Sequence, residues 1–294
     1  IQEGIDAASE GDSVLVSAGT YYENITWPET NGIALIGSGA DSCFIDGGQN
    51  GSVVTFENSE NSTAVLSGFT IKNGSGWVWT DGTYGGGIYL DQSNPTIKDV
   101  KVVGNTATQK GGGIYLFQSN PTITDIIISG NTATLYGGGI HLTSSNPTIT
   151  NVTINGNTSQ RGGGISLKLS DPVMDHITIV GNTADYNGGG IYFDLSGCAP
   201  VLTNCVIWGN GVDPIDTSFS SSINITYSDI EGGFGGGGNI DADPLFCDAG
   251  SGNFTLDGSS PCVATGQDGA NMGAFGVGCI YGCTGESSCN YNPN

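Results

Sequence analysis

Positive charge is nearly absent from this sequence. Six Lys and Arg stand against 28 Asp and Glu, a formal charge of −22, which excludes nucleic acid and anionic membrane surfaces as partners on electrostatic grounds. Charge of either sign is thin: 12% of the residues carry one, about half the roughly 25% usual in soluble proteins, so a charge-laced helical bundle is excluded. No stretch approaches 18 consecutive apolar residues, so no helix is predicted to span a bilayer. The chain opens at Ile1 with neither Met nor a charged-then-apolar leader, as expected of a processed chain or a fragment.

What is abundant is glycine. Fifty-one Gly argue against long helices, where each interior Gly costs about 1 kcal/mol relative to Ala. Recurrent Ile, Val, Leu and aromatic residues in short runs argue equally against disorder. Eight Cys, an even number without paired CxxC spacing, point to disulfides in an oxidising compartment, hence to an exported, extracellular or cell-surface protein.

The glycines are periodic. Triplets begin at Gly85, Gly111, Gly137, Gly162 and Gly188, spaced by 26, 26, 25 and 26 residues. In register run Asn94, Asn120, Asn146 and Asp171, each before Pro, and Asn105, Asn131, Asn157, Asn182 and Asn210, each after Gly. The unit reads GGGIYLxxSNPTIxxxxIxGNTAxx. It holds two or three short runs with alternating apolar residues, too few for a propeller blade, and the period suits one coil of a solenoid. The predicted fold is all-β: a single-stranded right-handed parallel β-helix of roughly ten turns with about 26 residues per regular turn.

Stacked coils place equivalent residues about 4.8 Å apart. Ile88, Ile114, Ile140, Ile165 and Ile191 then form one buried column, and Leu90, Leu116, Leu142, Leu167 and Phe193 a second on the same face. The Asn105 to Asn210 series forms an amide ladder that serves the turns. Less regular coils precede the block around Val14, Ile33 to Ile36, Val53 to Phe56 and Val65 to Ile71. Ile1, Ile5 and Ala8 are spaced as in a short amphipathic helix over the first coil. The predicted organisation is a β-helix over 1–246 with regular repeats at about 85–210, a Cys-containing cap over 247–278, and a Cys-rich tail over 279–294.

The opening IQEGIDAASEGDSVLVSAGTYYENI, the GGGIYL, SNPTI and GNTA elements, and IDADPLFCDAGSGNFTLDGSSPC followed by NMGAFGVGC resemble the right-handed parallel β-helix proteins of the pectate-lyase-like superfamily. More narrowly they are similar to secreted bacterial surface proteins and polymorphic outer-membrane-type adhesins. The tail GCTGESSCNYNPN is similar to a short Cys-containing repeat near the C-termini of secreted marine bacterial proteins. The resemblance implies the fold strongly and the activity weakly, since that superfamily includes lyases, hydrolases, adhesins and tail fibres.

Catalysis on polysaccharides needs paired carboxylates, or acids holding calcium with a base nearby. The Asn-Thr-Asp, paired-Asp, Gly-His-Gly and Arg-Ile-Lys elements of the hydrolase branch are missing. The one arginine, Arg161, with Lys168, Asp171, Asp175 and His176 after it, is the best catalytic candidate. Isolated charges more often form a solvated patch. No cofactor is expected; Asp241 and Asp243, or Asp46 with its following glycines, are candidates for structural calcium, without an EF-hand or nonapeptide motif.

Two features suggest ligand binding or assembly. The column Tyr89, Tyr115, His141, Ser166 and Tyr192 alternates with the core residues and is predicted to face outward, where rings stack on sugars or on another protein. The segment 74–84 interrupts the repeat with Trp77, Trp79 and Tyr84, as a contact loop or as a cover for the coil. Thr122 to Thr124 and Thr148 to Thr150 are arranged as in ice-binding arrays, but Lys98, Val173 and Val201 break the pattern. Of the cysteines, Cys247 with Cys262, Cys283 with Cys289, and Cys198 with Cys205 are plausible local bridges. Cys43 and Cys279 remain, far apart on a rod of about 50 Å, to pair between molecules or to stay reduced.

An open coil end exposes strand edges and favours end-to-end association. The sequence therefore predicts a non-enzymatic extracellular structural or adhesive β-helix, self-associating into filaments. A carbohydrate-binding or polysaccharide-degrading β-helix is the alternative.

Overall fold

The computed structural model describes residues 1–57, 61, 63–194, 197–216 and 222–279. Cys283 and Cys289 lie outside the described residues, as does most of the Cys-rich tail. The chain winds as a parallel β-solenoid of about ten turns with about 26 residues per turn. Each regular coil has three faces. Ile114–Phe117 belongs to a seven-stranded sheet, Thr122–Thr124 and Ile127–Ser129 to a sixteen-stranded sheet, and Thr132–Ala133 to a four-stranded sheet. All neighbours within these three sheets pair in parallel, with Ile114 opposite Ile88 and Ile140, and Ile123 opposite Ile97 and Ile149.

The two predicted apolar columns fill the interior, and Ile97, Ile123, Ile149, Met174 and Leu202 meet them from the sixteen-stranded sheet. The unit begins with three glycines for separate reasons. Gly111 has φ +65°, and Cβ atoms on Gly112 and Gly113 would come within 2.6 and 2.7 Å of the carbonyl oxygens of Gly138 and Gly139 on the next coil. The first glycine is needed for its backbone angle and the other two for close approach.

Polar ladders seal the corners. Asn157 Nδ2 donates to Ile128 O and to Asn182 Oδ1, each at 2.9 Å, while its Oδ1 accepts from the backbone and side-chain nitrogens of Asn131. Ser93, Ser119, Ser145 and Ser170 form a second buried ladder, each hydroxyl accepting from the preceding serine's backbone N–H where the series continues and donating to its own coil. Between the paired strands of the large sheet, Asp99, Asp125, Asn151, His176 and Asn204 all adopt φ of 53° to 54°. That left-handed bend favours Asn, Asp and His, so backbone geometry accounts for the residue types of this column.

The helix expected at the start is Gln2–Asp6, with Ile5 buried in the core. At the other end, residues 234–240 lie along the last coil in parallel, with Asp229 bridged to Ile240: Tyr227 N–H donates to Gly237 O, Ile240 N–H to Ser228 O, and Phe234 packs against the main core. The 247–278 segment forms a small unit with its own core, in which Leu256, Cys262 and Met272 pack on Val206 and Trp208, the outward residues of Val206–Trp208. Phe246–Asp248 and Asn253–Asp257 pair antiparallel there, and Val277–Cys279 joins in parallel.

This unit corrects the cysteine pairing. Cys247 bonds to Cys279, with Cα atoms 5.9 Å apart, and neither to Cys262 nor between molecules. Cys262 is instead buried with its thiol donating to Asp229 Oδ2 at 3.1 Å. Cys198 and Cys205 are also not joined to each other. Strand register explains why: Cys198 follows the serine ladder and Cys205 follows the corner column Val152 and Ile177, so the two occupy different corners of one coil. Burial pushes the Cys205 thiol up to about 12. Cys43 is buried in the core with its thiol directed at Ser17 O, 3.3 Å away.

Two consequences are measurable. Asn157→Ala strands donors and acceptors on two neighbouring coils and should cost about 3 kcal/mol, against about 0.5 kcal/mol for Asn120→Ala, whose exposed side chain serves one backbone N–H; equilibrium denaturation compares them. Asp229 has no exposed surface, and its burial, reinforced by Asp241 and Asp243, outweighs the bonds from Cys262 and Ala242 and raises its carboxyl from 3.8 to about 6. The folded state therefore holds this proton more tightly than the unfolded chain, and stability drains away as pH rises from about 4 to about 6. Asp229→Asn should remove that loss, about 2–3 kcal/mol at pH 7, in urea melts run at pH 4 and pH 7.

Candidate functional site

Outward residues of the seven-stranded sheet alternate with the core columns and form two rows. The first is Tyr89, Tyr115, His141, Ser166 and Tyr192; the second is Asp91, Phe117, Thr143 and Lys168. Beside them runs a wall built from the residue preceding each glycine triplet: Tyr84, Lys110, Tyr136, Arg161 and Asn187, which bridge from coil to coil. The first row faces outward from the coil as the alternation requires, yet it is buried rather than exposed. Tyr89 is 1% exposed, Tyr115 and Tyr192 6%, and His141 and Ser166 0%. The wall and the 74–84 insertion lie over it.

The insertion is a hairpin of Trp77–Trp79 with Gly82–Tyr84. Trp77 stacks on Tyr89, with centroids 5.7 Å apart, and Trp79 Nε1 donates to the Tyr89 hydroxyl at 3.2 Å. Covering the coil is thus one role of this segment, although Trp79 stays 44% exposed and Val78 74%. The ring stack continues from Tyr89 to Tyr115 at 5.6 Å and from Tyr115 to His141 at 5.7 Å, with interplanar angles of 17° and 5°. Offset stacking at such spacing contributes about 0.5–1.5 kcal/mol per pair beyond burial. Tyr84 meets Tyr115 edge-on at 5.1 Å and donates its hydroxyl to Asp81.

Cations gather on the wall. Lys110 Nζ lies 5.2 Å from the centroid of Tyr136, and the Arg161 guanidinium lies 5.8 Å from Tyr136 and 5.3 Å from the exposed Tyr186. Burial lowers the Lys110 ammonium, with Lys168 adding to the effect and Asp194 and Asp81 opposing it. Burial also holds His141 well below its ordinary 6.5, and the nearby charges of Lys110 and Lys168 push in the same direction. Its Nε2 lies 3.0 Å from Thr143 Oγ1. The resulting strip, ringed by aromatic faces and edged with cations, suits stacking on sugar rings and hydrogen bonding to their substituents.

The expected catalytic group is dispersed. Arg161 and Lys168 flank this strip, whereas His176 Nδ1 lies 2.9 Å from the Asp175 carboxylate on the sixteen-stranded sheet, where Asp175 also accepts from Asn204. Asp171 continues the Asn94, Asn120 and Asn146 ladder by accepting the Ala199 N–H. Among the calcium candidates, Asp46 is engaged by Gly48 N–H, Asn73 and Lys72, which together outweigh its burial and hold it below the usual carboxylate range. Asp241 accepts from Gly232 and Asp243 from Leu245. Among the described residues no three His, Cys, Asp or Glu side chains come together as a metal site, and no helix is long and apolar enough to cross a membrane. Lys110, Tyr136 and Tyr186 were residues that sequence reasoning missed; the shared place of the first two, one residue before a glycine triplet, is the signal that marks them.

The model of the right-handed β-helix region matches residues 11–174 and 52–230. The chain belongs to this family. No curated protein matches this β-helix. Among solved structures, it is similar to pectin methylesterase in complex with hexasaccharide VII, at 14% identity and a TM-score of 0.46 over 81% of this chain and 76% of that one. It is also similar to the A-module of an Azotobacter vinelandii mannuronan C-5 epimerase, at 16% identity and a TM-score of 0.36 over 81% of this chain and 84% of that one.

Because Lys168 helps hold His141 neutral, Lys168→Gln should raise the pKa of the His141 imidazole. In NMR titrations the His141 ring of the variant should begin to protonate at a higher pH than that of the wild type.

Proposed function

We propose that this β-helix is a non-enzymatic, extracellular adhesive protein that binds an extended carbohydrate along the outer strip. The observation that carries the reading is the set of rings Trp79, Tyr136 and Tyr186, exposed or half-buried, backed by a buried stack that includes Tyr84 and interspersed with Lys110 and Arg161. A rigid, preformed row of rings loses little side-chain entropy on binding. Its repeat of about 4.8 Å per coil suits a linear polymer lying along the coil axis better than a compact ligand in a pocket. Side binding is favoured over filament formation because Ile5 and the 234–240 segment pack onto the terminal coils and occupy the edges that stacking would need.

The dispersal of Arg161, Asp171, Asp175 and His176 favours recognition over turnover. A panel of polysaccharides in affinity electrophoresis tests this reading. At least one linear glycan should retard the wild type, and Trp79→Ala should weaken that binding about tenfold with unchanged circular dichroism. Release of reducing ends or unsaturated uronates would move the protein into the enzyme class, and a panel without any retardation would overturn the reading.

A further inference from the structure

One coil of the strip differs from the others in two places at once. The wall segments Thr106 to Lys110, Thr132 to Tyr136 and Thr183 to Asn187 have five residues before the glycine triplet, whereas Thr158–Arg161 has four. This is the origin of the single 25-residue spacing, and the pairing slips between Ser159 and Arg161 to absorb it. On the same coil the floor residue is Ser166, so the column of rings is interrupted between His141 and Tyr192.

A neighbouring ring bridges the interruption. Tyr136 has its centroid 6.1 Å from His141 and 5.9 Å from Tyr192. Those two residues are two coils apart, about 10 Å, so a ring this close to both lies over the intervening Ser166. Two polar atoms at the interruption have no hydrogen-bond partner: His141 Nδ1 and Ser166 Oγ, on side chains without exposed surface. Buried polar atoms left unpaired cost about 1–3 kcal/mol each. The Ser166 hydroxyl is a donor, and His141 Nδ1 is one in the tautomer whose Nε2 accepts from the Thr143 hydroxyl.

The charges agree with the donors. Ion pairs among the described residues join Lys72 to Asp46, Lys101 to Asp41 and the Ile1 amino group to Glu23, and His176 contacts Asp175. None engages Lys110, Arg161 or Lys168, although carboxylates outnumber bases more than fourfold along the chain. The buried Ser166 hydroxyl and three cations outside any ion pair, against the one carboxylate of Asp194 that acts on both Lys110 and Tyr192, match an anion better than a metal ion.

We propose that the shortened coil holds a site for one anionic group, a carboxylate or a sulfate ester on the polymer, received by Ser166 and His141, flanked by Lys110, Arg161 and Lys168, and uncovered when the Tyr136 ring swings aside. The polymer rests on the carbohydrate reading above; the anion site does not.

Titration calorimetry with sodium sulfate, sodium galacturonate, and hexamers of galacturonate, sulfated galactose and neutral glucose separates the two. An acidic hexamer should bind at least tenfold more tightly than the neutral one, and whether galacturonate or the sulfated hexamer prevails decides the group. Lys168→Gln should cut acidic binding at least tenfold and leave neutral binding within twofold. Ser166→Tyr, which fills the recess with the column's own ring type, should do the same, while Lys101→Gln on the other sheet should change nothing. Sulfate binding that depends on Lys168, without binding of any hexamer, would keep the site and overturn the carbohydrate reading. Equal binding of acidic and neutral hexamers, acidic binding indifferent to Lys168→Gln, or no binding of any anion would overturn the site.

Discussion

Hydrogen bonds running from each coil to the next oblige every residue to share its surroundings with the residue one period away. Parallel pairing at about 4.8 Å sets like above like, so whatever a position contributes is multiplied along the axis. Isoleucine over isoleucine fills the interior. Asparagine over asparagine satisfies backbone groups that the turns leave unpaired, and a charge over a like charge would be repelled. The low charge content and the composition of short apolar runs follow from the same constraint.

That constraint also explains which parts of the fold were legible in the sequence. The triplets at Gly85 to Gly188 declare the period, and the columns starting at Ile88 and Leu90 declare the inward face, because burial acts on each coil independently. The serine ladder under Ser93 was equally periodic but chemically mild, and a serine before Asn-Pro reads as ordinary turn chemistry. The partner of Cys247 depended on how residues 253–279 fold on themselves, which no repeat encodes. Loop length favoured Cys262, yet Asp229 on the last coil had claimed it.

The strip was half visible. Alternation placed Tyr89 and Tyr115 on the outward side, which is where they are, but outward on a solenoid need not mean solvated. A wall raised by the residue ahead of each triplet turns the outer face of the sheet into a second, aromatic core. Strand periodicity is blind to such a wall because its residues sit at a corner, between strands. The grouping from Arg161 to His176 failed as a cluster for a related reason: residues close in sequence travel around the coil, and those 26 apart are the ones that meet.

A polymer lying on a perfectly repeating surface has no preferred phase, since a slide of one coil restores every contact. On this strip the side chains change from coil to coil, and the single residue missing between Thr158 and Arg161 breaks the backbone repeat as well, because one rung of the ladder no longer superimposes on its neighbours. Under the carbohydrate reading, translation along the axis meets one position where the backbone itself is distinguishable, a zero mark from which a bound repeat would be counted.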